Sequence, residues 1–296
     1  MHVTSSATRL RNIARLTAAQ LLRVVPGSTA LRLKRDLRDA AWLEQADAVV
    51  VSFPKSGRTF VRAMLAHLFQ QRFGIDERDL LDFPVLLRAP PEVPRVLFTH
   101  AGDSMRSPGD IRVRPEDYRQ ARVVLLARHP GDVVVSRYHH LRHRSRDRAR
   151  RQLADQPLQT FVWSEQGGLP SIVEYLNGFA ALPGVTIARY EDFVLEPKDP
   201  LRRLAATVGL EANEQEIADA TEFGKLPNLR KREREGYFRS ARLRPAKPGD
   251  EQSGKVRSGR SGGYRAELGD AEADRIDAYI AEHLSPVFGY SNLVGA

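Results

Sequence analysis

Short apolar runs rich in β-branched residues alternate along the chain with longer segments whose apolar positions follow a helical period. The runs that predict β-strands are Ala48 to Ser52, Val96 to Thr99, Arg122 to Ala127 and Val185 to Arg189. The segments that predict helices are Thr59 to Phe73, Gly131 to Arg144, Ser171 to Ala181, Pro200 to Val208 and Asp270 to Leu284. This alternation predicts an α/β fold, a central parallel sheet flanked by helices on both faces. Ligands of such sheets bind beyond the carboxyl ends of the strands.

Two further segments predict irregular structure. Asp82 to Pro94 is rich in proline, and Gly, Pro, Lys and Arg crowd together from Leu226 to Gly263. The chain has no internal repeat and no dividing linker. We therefore expect a basic helical leader over residues 1–40, followed by a single domain over residues 41–296 with a mobile, basic C-terminal loop at about 226–263.

Positive charge is concentrated in the leader. The chain of 296 residues carries a net charge of +9, and seven of these charges precede Asp36, so that the remainder is 9 − 7 = +2. Apolar residues recur among these charges at helical spacing: Leu10, Ile13, Leu16, Leu21 and Leu22. The pattern predicts a helix that either packs on the domain with a solvated basic face or lies on an anionic membrane surface.

Composition narrows the chemistry. The chain has no cysteine, which excludes disulfides, thiol catalysis and cysteine-ligated metals, and which fits a reducing compartment such as the cytoplasm. No apolar run approaches the roughly 20 residues that span a bilayer, and the N-terminus lacks the apolar core of a secretory signal. Neither an HExxH string nor clustered carboxylates are present, so we expect no metal site.

The stretch SFPKSGRTF, Ser52 to Phe60, connects the first predicted strand to a helix. Pro54, Ser56 and Gly57 suit a tight turn, and the helix that follows would point free N–H groups and its positive dipole end at the sheet edge. Lys55, Arg58 and Thr59 add donors. The Gly-x4-Gly-Lys-Ser/Thr string of nucleotide triphosphatases is absent. Taken alone, this stretch is either an anion site or an ordinary strand-to-helix turn.

A second stretch, RVVLLARHPGDVVVSRYHH, places Arg128 at the end of a buried strand and Ser136 in the following helix. A guanidinium at that edge could hold a phosphate through two hydrogen bonds. The alternative is an arginine that caps a strand and a serine satisfied within its helix.

Together the two stretches resemble the cytosolic-type sulfotransferases, which use 3'-phosphoadenosine 5'-phosphosulfate (PAPS) as donor. The first is similar to the family's Tyr-Pro-Lys-Ser-Gly-Thr-Thr-Trp loop and the second to its Arg-Asn-Pro-x-Asp-x-x-x-Ser motif. A third stretch, VRSGRSGGYR from Val256 to Arg265, resembles the family's Arg-Lys-Gly-x-x-Gly-Asp-Trp segment. The three occur in the family's order, and the similarity extends from about Ala48 to Tyr290.

The resemblance implies a P-loop-like 5'-phosphosulfate loop and a role for each matching residue. The 5'-phosphosulfate would be held by Lys55, Ser56, Gly57, Arg58 and Thr59. The 3'-phosphate would be held by Arg128, Ser136, Arg257 and Gly259. Tyr190 would lie near the nucleotide, with Thr221 and Phe223 along the adenine, although Tyr190 and Phe223 could equally be core aromatics. PAP would be the product, and no metal would be required.

The chain departs from the family pattern at several of these positions. Arg58 stands where Thr is common, Phe60 where Trp is common, Ser258 where Lys is common, and Gly263-Tyr264 where Asp-Trp is common. We still count Phe60 and Ser258 among the cofactor-binding positions. Arg58 adds a positive charge beside the expected sulfuryl group.

His100 is the candidate general base. It ends a predicted strand and therefore reaches the same sheet edge as Lys55 and Arg128, and histidine is the natural base near neutral pH. The resemblance matches it to the family's catalytic histidine in a Thr-His pair. Lys55 could stabilise the oxygen that bridges sulfur and phosphorus, where charge develops as that bond breaks. Ser136, as the family suggests, would hold Lys55 toward the 3'-phosphate until an acceptor arrives.

The acceptor is less well defined. Phe98 occupies the position where the small-phenol and steroid branch commonly has lysine, and a basic run extends from Arg142 to Arg151. These features favour an anionic or sugar-containing hydroxyl acceptor, such as a polysaccharide, glycolipid or glycosylated metabolite, over a small phenol or alcohol. A nucleotide kinase and a polyanion-binding protein are the competing functions. Aromatic residues are sparse in the arginine runs, so we expect no specific nucleic acid partner.

Overall fold

A four-stranded parallel sheet forms the centre of the fold. The computed structural model describes residues 6–21, 37–102, 105–145, 147–239 and 261–290. The strands are β1 (Ala48–Val51), β2 (Val96–Thr99), β3 (Arg122–Ala127) and β4 (Thr186–Arg189), in the spatial order β2-β1-β3-β4. The register pairs Val51 with both Thr99 and Leu125. The ends of β1 and β2 therefore lie side by side, and β3 continues two residues further to its own end.

Helices cover both faces of this sheet, because its central strands are apolar on both sides. Their bounds are α1 Ser6–Leu21, α2 37–43, α3 Arg58–Phe73, α4 Phe83–Leu86, α5 Pro130–Arg144, α6 Arg148–Gln152, α7 Leu158–Val162, α8 Leu169–Ala180, α9 Tyr190–Leu195, α10 Lys198–Val208, α11 Glu214–Gly224, α12 Leu226–Arg234, α13 Gly263–Leu268 and α14 Asp270–His283. One-turn 3-10 helices occur at Glu77–Asp79, Pro108–Asp110, Pro115–Tyr118 and Pro286–Phe288.

The alternation of side chains along each strand divides the core into two layers. Val49, Val51 and Leu125 face one layer, which is completed by α5, α8 and α14. Val50 and Val124 face the other, which is completed by α3, α10 and α11. The predicted α/β fold is thus confirmed, and the loops at the strand ends are held from both sides.

The four predicted strands and five predicted helices are all present, with ends within two residues of expectation. The prediction of irregular structure is wrong in two places, at α4 and at α12. In α12 only Leu229 and Glu233 are buried, so its apolar period is too sparse to read from sequence. Helix α11 was not predicted, although Asn213 and Glu216 form a capping box at its start.

Helix α1 of the leader packs on the domain. Arg11 and Arg15 form ion pairs with Glu44, and Asn12 is buried. Leu10 and Ile13 are exposed on the opposite side. Among the helices that the structure describes, none is both long and apolar enough to cross a membrane.

The start of α8 depends on a close backbone approach at Gly168. A Cβ at this position would lie 2.2 Å from the Ser164 carbonyl oxygen and 2.7 Å from that of Val162. Backbone oxygens cannot move aside as a flexible side chain can, so only glycine fits here.

We expect Gly168→Ala to lower the free energy of unfolding by about 1–3 kcal/mol, the usual cost of overpacking. Urea unfolding followed by far-UV circular dichroism measures this. Gly109→Ala is the matched control, because a Cβ there meets nothing within 4 Å. Equal stability of the two variants would contradict the close approach at Gly168.

Candidate active site

The loop after β1 carries unusual backbone geometry. Ser52 N–H donates to the Thr99 carbonyl at 3.3 Å and so prolongs the pairing of β1 with β2. Lys55 and Gly57 then adopt left-handed conformations, with φ of 82° and 81°. For the lysine this costs about 1–3 kcal/mol, and such strain is concentrated at functional sites. The turn presents the Lys55 backbone in a fixed, uncommon conformation.

The loop leads into α3 and fits an anion. Gly57 is the N-cap of α3 and has no side chain to cap it, while the first N–H groups of a helix have no partner within the helix. The Ser56 hydroxyl is buried, and it has no hydrogen-bond partner in the described part of the chain. Uncapped N–H groups, a buried hydroxyl and the cations Lys55 and Arg58 form a donor set suited to phosphate or sulfate.

Tyr190, the first residue of α9, covers this loop. Its ring packs on Gly57 so closely that a Cβ there would lie 2.1 Å from Tyr190 Cδ2. The ring also makes an edge contact with Phe60, with 5.8 Å between centroids. The Arg128 guanidinium lies over it, 4.8 Å from the centroid. The structure thus brings together Gly57, Phe60, Arg128 and Tyr190, which the sequence analysis predicted from three separate parts of the chain.

Arg128 is fixed at the end of β3. Its Nη1 donates to the Lys55 carbonyl at 3.2 Å, and its Nη2 lies 3.7 Å from Asp132 Oδ2. The first bond ties the end of β3 directly to the loop after β1. A guanidinium placed here, beside α5, faces the same sheet edge as the helix start of α3.

A buried cluster of aromatic and acidic side chains begins at His129, the residue after Arg128. Glu191 accepts hydrogen bonds from the His129 N–H at 2.9 Å and from the Tyr290 hydroxyl at 2.8 Å. The His129 ring stacks on Tyr264, with centroids 4.9 Å apart. Burial raises the pKa of the Glu191 carboxyl and lowers that of His129. The imidazole is therefore neutral at pH 7, and it adds no charge beside Arg128.

Asp132 links this region to the C-terminal part of the chain. Its two carboxylate oxygens accept from the Gly262 N–H at 2.9 Å and the Tyr264 N–H at 3.3 Å. The start of α13 is thereby held next to Arg128.

Arg257, Ser258 and Gly259 lie outside the described residues. Ser136 is half-buried and lies about one and a half turns into α5, counted from the start of that helix at Pro130.

The two predicted adenine residues lie on α11, which packs along α3. The Thr221 hydroxyl donates to the Ala218 carbonyl at 2.8 Å. Phe223 stacks on His67 with 4.5 Å between centroids, and the Arg232 guanidinium lies 4.0 Å from the Phe223 centroid. Two planar groups this close must take opposite faces of the ring. An adenine could stack on Phe223 only by displacing one of them.

His100 lies at the end of β2, beside the start of the loop. Its Nδ1–H donates to the Ser52 carbonyl at 2.6 Å. In the neutral ring this places the basic lone pair on Nε2. The next two residues, Ala101 and Gly102, have φ of 51° and 103°, so the chain turns sharply after the imidazole.

A cleft opens beside His100. Three aromatic residues line it, and their rings pack in series: Phe53 lies 5.4 Å from Tyr175, which lies 4.7 Å from Phe179. Burial raises the pKa of the Tyr175 hydroxyl well above its usual value, and the positive charge of Arg58 opposes that shift. The charge of Arg58 therefore reaches the Tyr175 hydroxyl, which belongs to a residue that lines this cleft.

Arginines also line this cleft, and sequence reasoning did not find them. Arg106 and Arg112 contribute to it, and the Arg106 guanidinium packs against Gly102. Tyr175 and Phe179 belong to α8, far along the chain from the Thr-His pair, whereas Arg106 and Arg112 follow His100 by six and twelve residues. The available sequence signal was the pair of arginines that follow the Thr-His end of a strand.

Comparisons with known proteins identify the family of this chain. A family model described as the sulfotransferase domain matches residues 110–288. Arg128, Ser136 and Tyr190 fall within this match, while the loop at 52–60 and His100 precede it.

Relatives cover most of the chain. Cytosolic sulfotransferase 3 of Arabidopsis thaliana is 23% identical over 261 residues, which cover 81% of this chain and 77% of the relative. The 3-beta-hydroxysteroid sulfotransferase of Cavia porcellus is 20% identical over 272 residues, which cover 86% and 88%. The structure of mouse sulfotransferase SULT7A1 complexed with PAP has a TM-score of 0.56 at 18% identity and covers 85% of this chain and 93% of the other. Since the family match spans more than half of the sequence, the chain belongs to the PAPS-dependent sulfotransferase family.

Proposed function

We propose that this enzyme transfers the sulfuryl group of PAPS to an acceptor hydroxyl by in-line displacement, with His100 as general base and PAP as product. The observation that carries the proposal is the 2.6 Å bond from His100 Nδ1–H to the Ser52 carbonyl. It places an imidazole whose Nε2 carries the basic lone pair beside a loop whose hydrogen-bond donors suit an anion. Base and leaving group must be held in this kind of fixed relation for an in-line transfer.

The donor would bind along the sheet edge. The helix start at Gly57 to Thr59, with Lys55 and Ser56, would hold the 5'-phosphosulfate. Arg128 would hold the 3'-phosphate together with Ser136 and Arg257. Phe60, Tyr190, Thr221, Ser258 and Gly259 would complete the nucleotide site. Phe223 would join them by stacking on the adenine only after His67 or Arg232 leaves its ring.

The residues divide the chemistry between proton and charge. His100 Nε2 takes the proton of the acceptor hydroxyl as its oxygen bonds to sulfur. Lys55 offsets the negative charge that grows on the bridging oxygen as the bond from sulfur to that oxygen breaks, which helps the transition state more than the ground state. Ser136 would hold Lys55 toward the 3'-phosphate before the acceptor binds. Arg58 supplies a second charge between the loop and the cleft.

The acceptor would enter through the cleft beside His100. Its aromatic wall of Phe53, Tyr175 and Phe179 suits an apolar body. Arg106 and Arg112 suit an anionic group, which supports an acidic, sugar-containing acceptor such as a glycosylated metabolite or glycolipid. The aromatic wall alone would suit the second candidate, a small phenol or alcohol.

We also propose a cytoplasmic enzyme, as the name of the Arabidopsis relative has it. Peripheral contact with an anionic membrane through α1 stays a prediction. The exposed side chains of Leu10 and Ile13 support it, while the pairing of Arg11 and Arg15 with Glu44 uses part of the basic charge within the domain.

Substitution of the base and of the lysine should have different effects. We expect His100→Ala to lower kcat by roughly 10²- to 10⁴-fold, the range for a lost general base, with an unchanged Kd for PAP. Lys55→Ala should lower kcat and also raise the Kd for PAP by about tenfold, since a charged donor is lost. Labelled PAPS turnover and calorimetric PAP titration measure both.

His283→Ala, an exposed histidine on α14, is the control. Near wild-type turnover by His100→Ala would sink the base assignment.

Donor recognition can be tested against the competing functions. We expect PAP, but not ATP, to raise Tm, because only a ligand bound by the native state stabilises it. Arg128→Ala should abolish the PAP response, whereas Arg202→Ala, a surface arginine of α10, should keep it. A Tm response to ATP alone would indicate a nucleotide kinase. Salt-sensitive polyanion binding without PAPS turnover would indicate a binding protein.

The acceptor preference can be tested with a phenyl glucuronide and the matching phenyl glucoside, which carry a carboxylate and a hydroxymethyl group, respectively, at the same ring carbon. We expect the wild type to prefer the glucuronide, and Arg112→Ala to raise the KM of the glucuronide alone by about tenfold. Arg114→Ala is the control, since Arg114 is exposed and pairs with Asp117 at 2.8 Å. Transfer exclusively to simple neutral phenols would favour the phenol and alcohol reading.

A further inference from the structure

The turn that follows His100 is held by a hydroxyl rather than by glycine alone. Ala101 has φ of 51°, a left-handed conformation that non-glycine residues rarely adopt unless their surroundings enforce it. The Thr99 hydroxyl accepts a hydrogen bond from the Ala101 N–H at 2.9 Å. This bond spans His100, so it restrains the backbone on both sides of the imidazole.

The same hydroxyl is anchored outside the sheet. Thr99 is 7% exposed, and its Oγ1–H donates to Asp39 Oδ2 at 3.0 Å. A hydroxyl has one proton to donate, so the bond to Asp39 turns its lone pairs toward the Ala101 N–H. Asp39 therefore fixes the orientation of the group that holds the turn.

Asp39 is itself immobilised by its own helix. Arg38 donates to Asp39 Oδ1 from Nε at 3.1 Å and from Nη2 at 2.9 Å. The Arg38 guanidinium lies 4.7 Å from the Trp42 ring centroid, and Trp42 packs on Phe83 at 5.6 Å. The carboxylate thus has a compensated charge and a fixed position on α2.

From this chain of contacts we infer that Asp39 and Thr99 are positioning residues for the His100 base, and that α2 is part of the catalytic apparatus. The inference rests on the proposed function. Two restraints then hold the imidazole: the Ser52 carbonyl fixes its Nδ1, and the Asp39–Thr99–Ala101 chain fixes the backbone around it. Thr99 meets the loop at 52–60 through its backbone carbonyl, which accepts from the Ser52 N–H, whereas the two bonds of its hydroxyl go to Asp39 and Ala101.

The test is a pair of substitutions at one hydroxyl. Thr99→Val removes the hydroxyl and keeps the shape, and we expect kcat to fall by about 10²-fold, the effect of an ångström-scale misplacement of a catalytic group. The Kd for PAP should stay at the wild-type value. Thr99→Ser restores the hydroxyl and should restore most of the kcat. Thr207→Val, which removes a helix-surface hydroxyl bonded to the Arg203 carbonyl, is the matched control.

A double-mutant cycle separates positioning from general stability. If Thr99 acts through His100, then Thr99→Val should cause no further loss of kcat in a His100→Ala background. An equal fractional loss in both backgrounds would overturn the inference, as would a Thr99→Ser variant no better than Thr99→Val. Asp39→Ala, which leaves the Thr99 side chain in place, should reproduce the loss of kcat and carries the test if Thr99→Val does not fold.

The outcomes also distinguish this inference from the proposed function. If the wild type binds PAP and transfers the sulfuryl group and His100→Ala is impaired, then wild-type kcat in both Thr99→Val and Asp39→Ala removes the positioning role alone. If the wild type neither binds PAP nor uses PAPS, the proposed function fails and the positioning role fails with it.

Discussion

The hydrogen bond from the His100 imidazole to the Ser52 carbonyl is the contact on which the rest of the site depends. It joins the ends of two adjacent parallel strands, whose register pairs Val51 with Thr99. The loop that leaves β1 and the histidine that ends β2 are therefore held at one spacing. The bond also assigns the basic lone pair to Nε2, so that a single contact sets both the place and the protonation geometry of the proposed base.

The strained backbone of Lys55 and the charged side chain of Arg128 extend this arrangement across the sheet edge. Lys55 adopts a left-handed conformation, and its carbonyl accepts a bond from Arg128 at the end of β3. Tyr190, at the end of β4, covers the same loop. Residues from all four strand ends thus converge on one turn. The apolar strands and helices beneath it provide the rigid support that such a strained turn requires.

Much of the fold and part of the site could be predicted from local patterns. Runs such as AVVV predict buried strands, and the chemistry at strand ends singled out Lys55, His100 and Arg128 because parallel strands end at one edge. Tyr175 and Asp39 could not be predicted in this way, since tertiary packing brings their distant segments to the end of β2, whereas Arg106 follows His100 by only six residues. The two occupied faces of Phe223 likewise follow from the packing of α11 on α3 and of α12 on α11, which no short motif encodes. The capping box formed by Asn213 and Glu216 is, by contrast, a local signal from which the start of α11 could be predicted.

A crystal structure of the enzyme with PAP tests the central claim most directly, because it observes the bound nucleotide and the proposed base together. The account predicts the 5'-phosphate at the start of α3, in contact with Lys55 and the N–H groups after Gly57, with the 3'-phosphate on Arg128 and His100 Nε2 facing the sulfuryl position. PAP bound away from this sheet edge, or with its 5'-phosphate on the far side of the loop from His100, would contradict it.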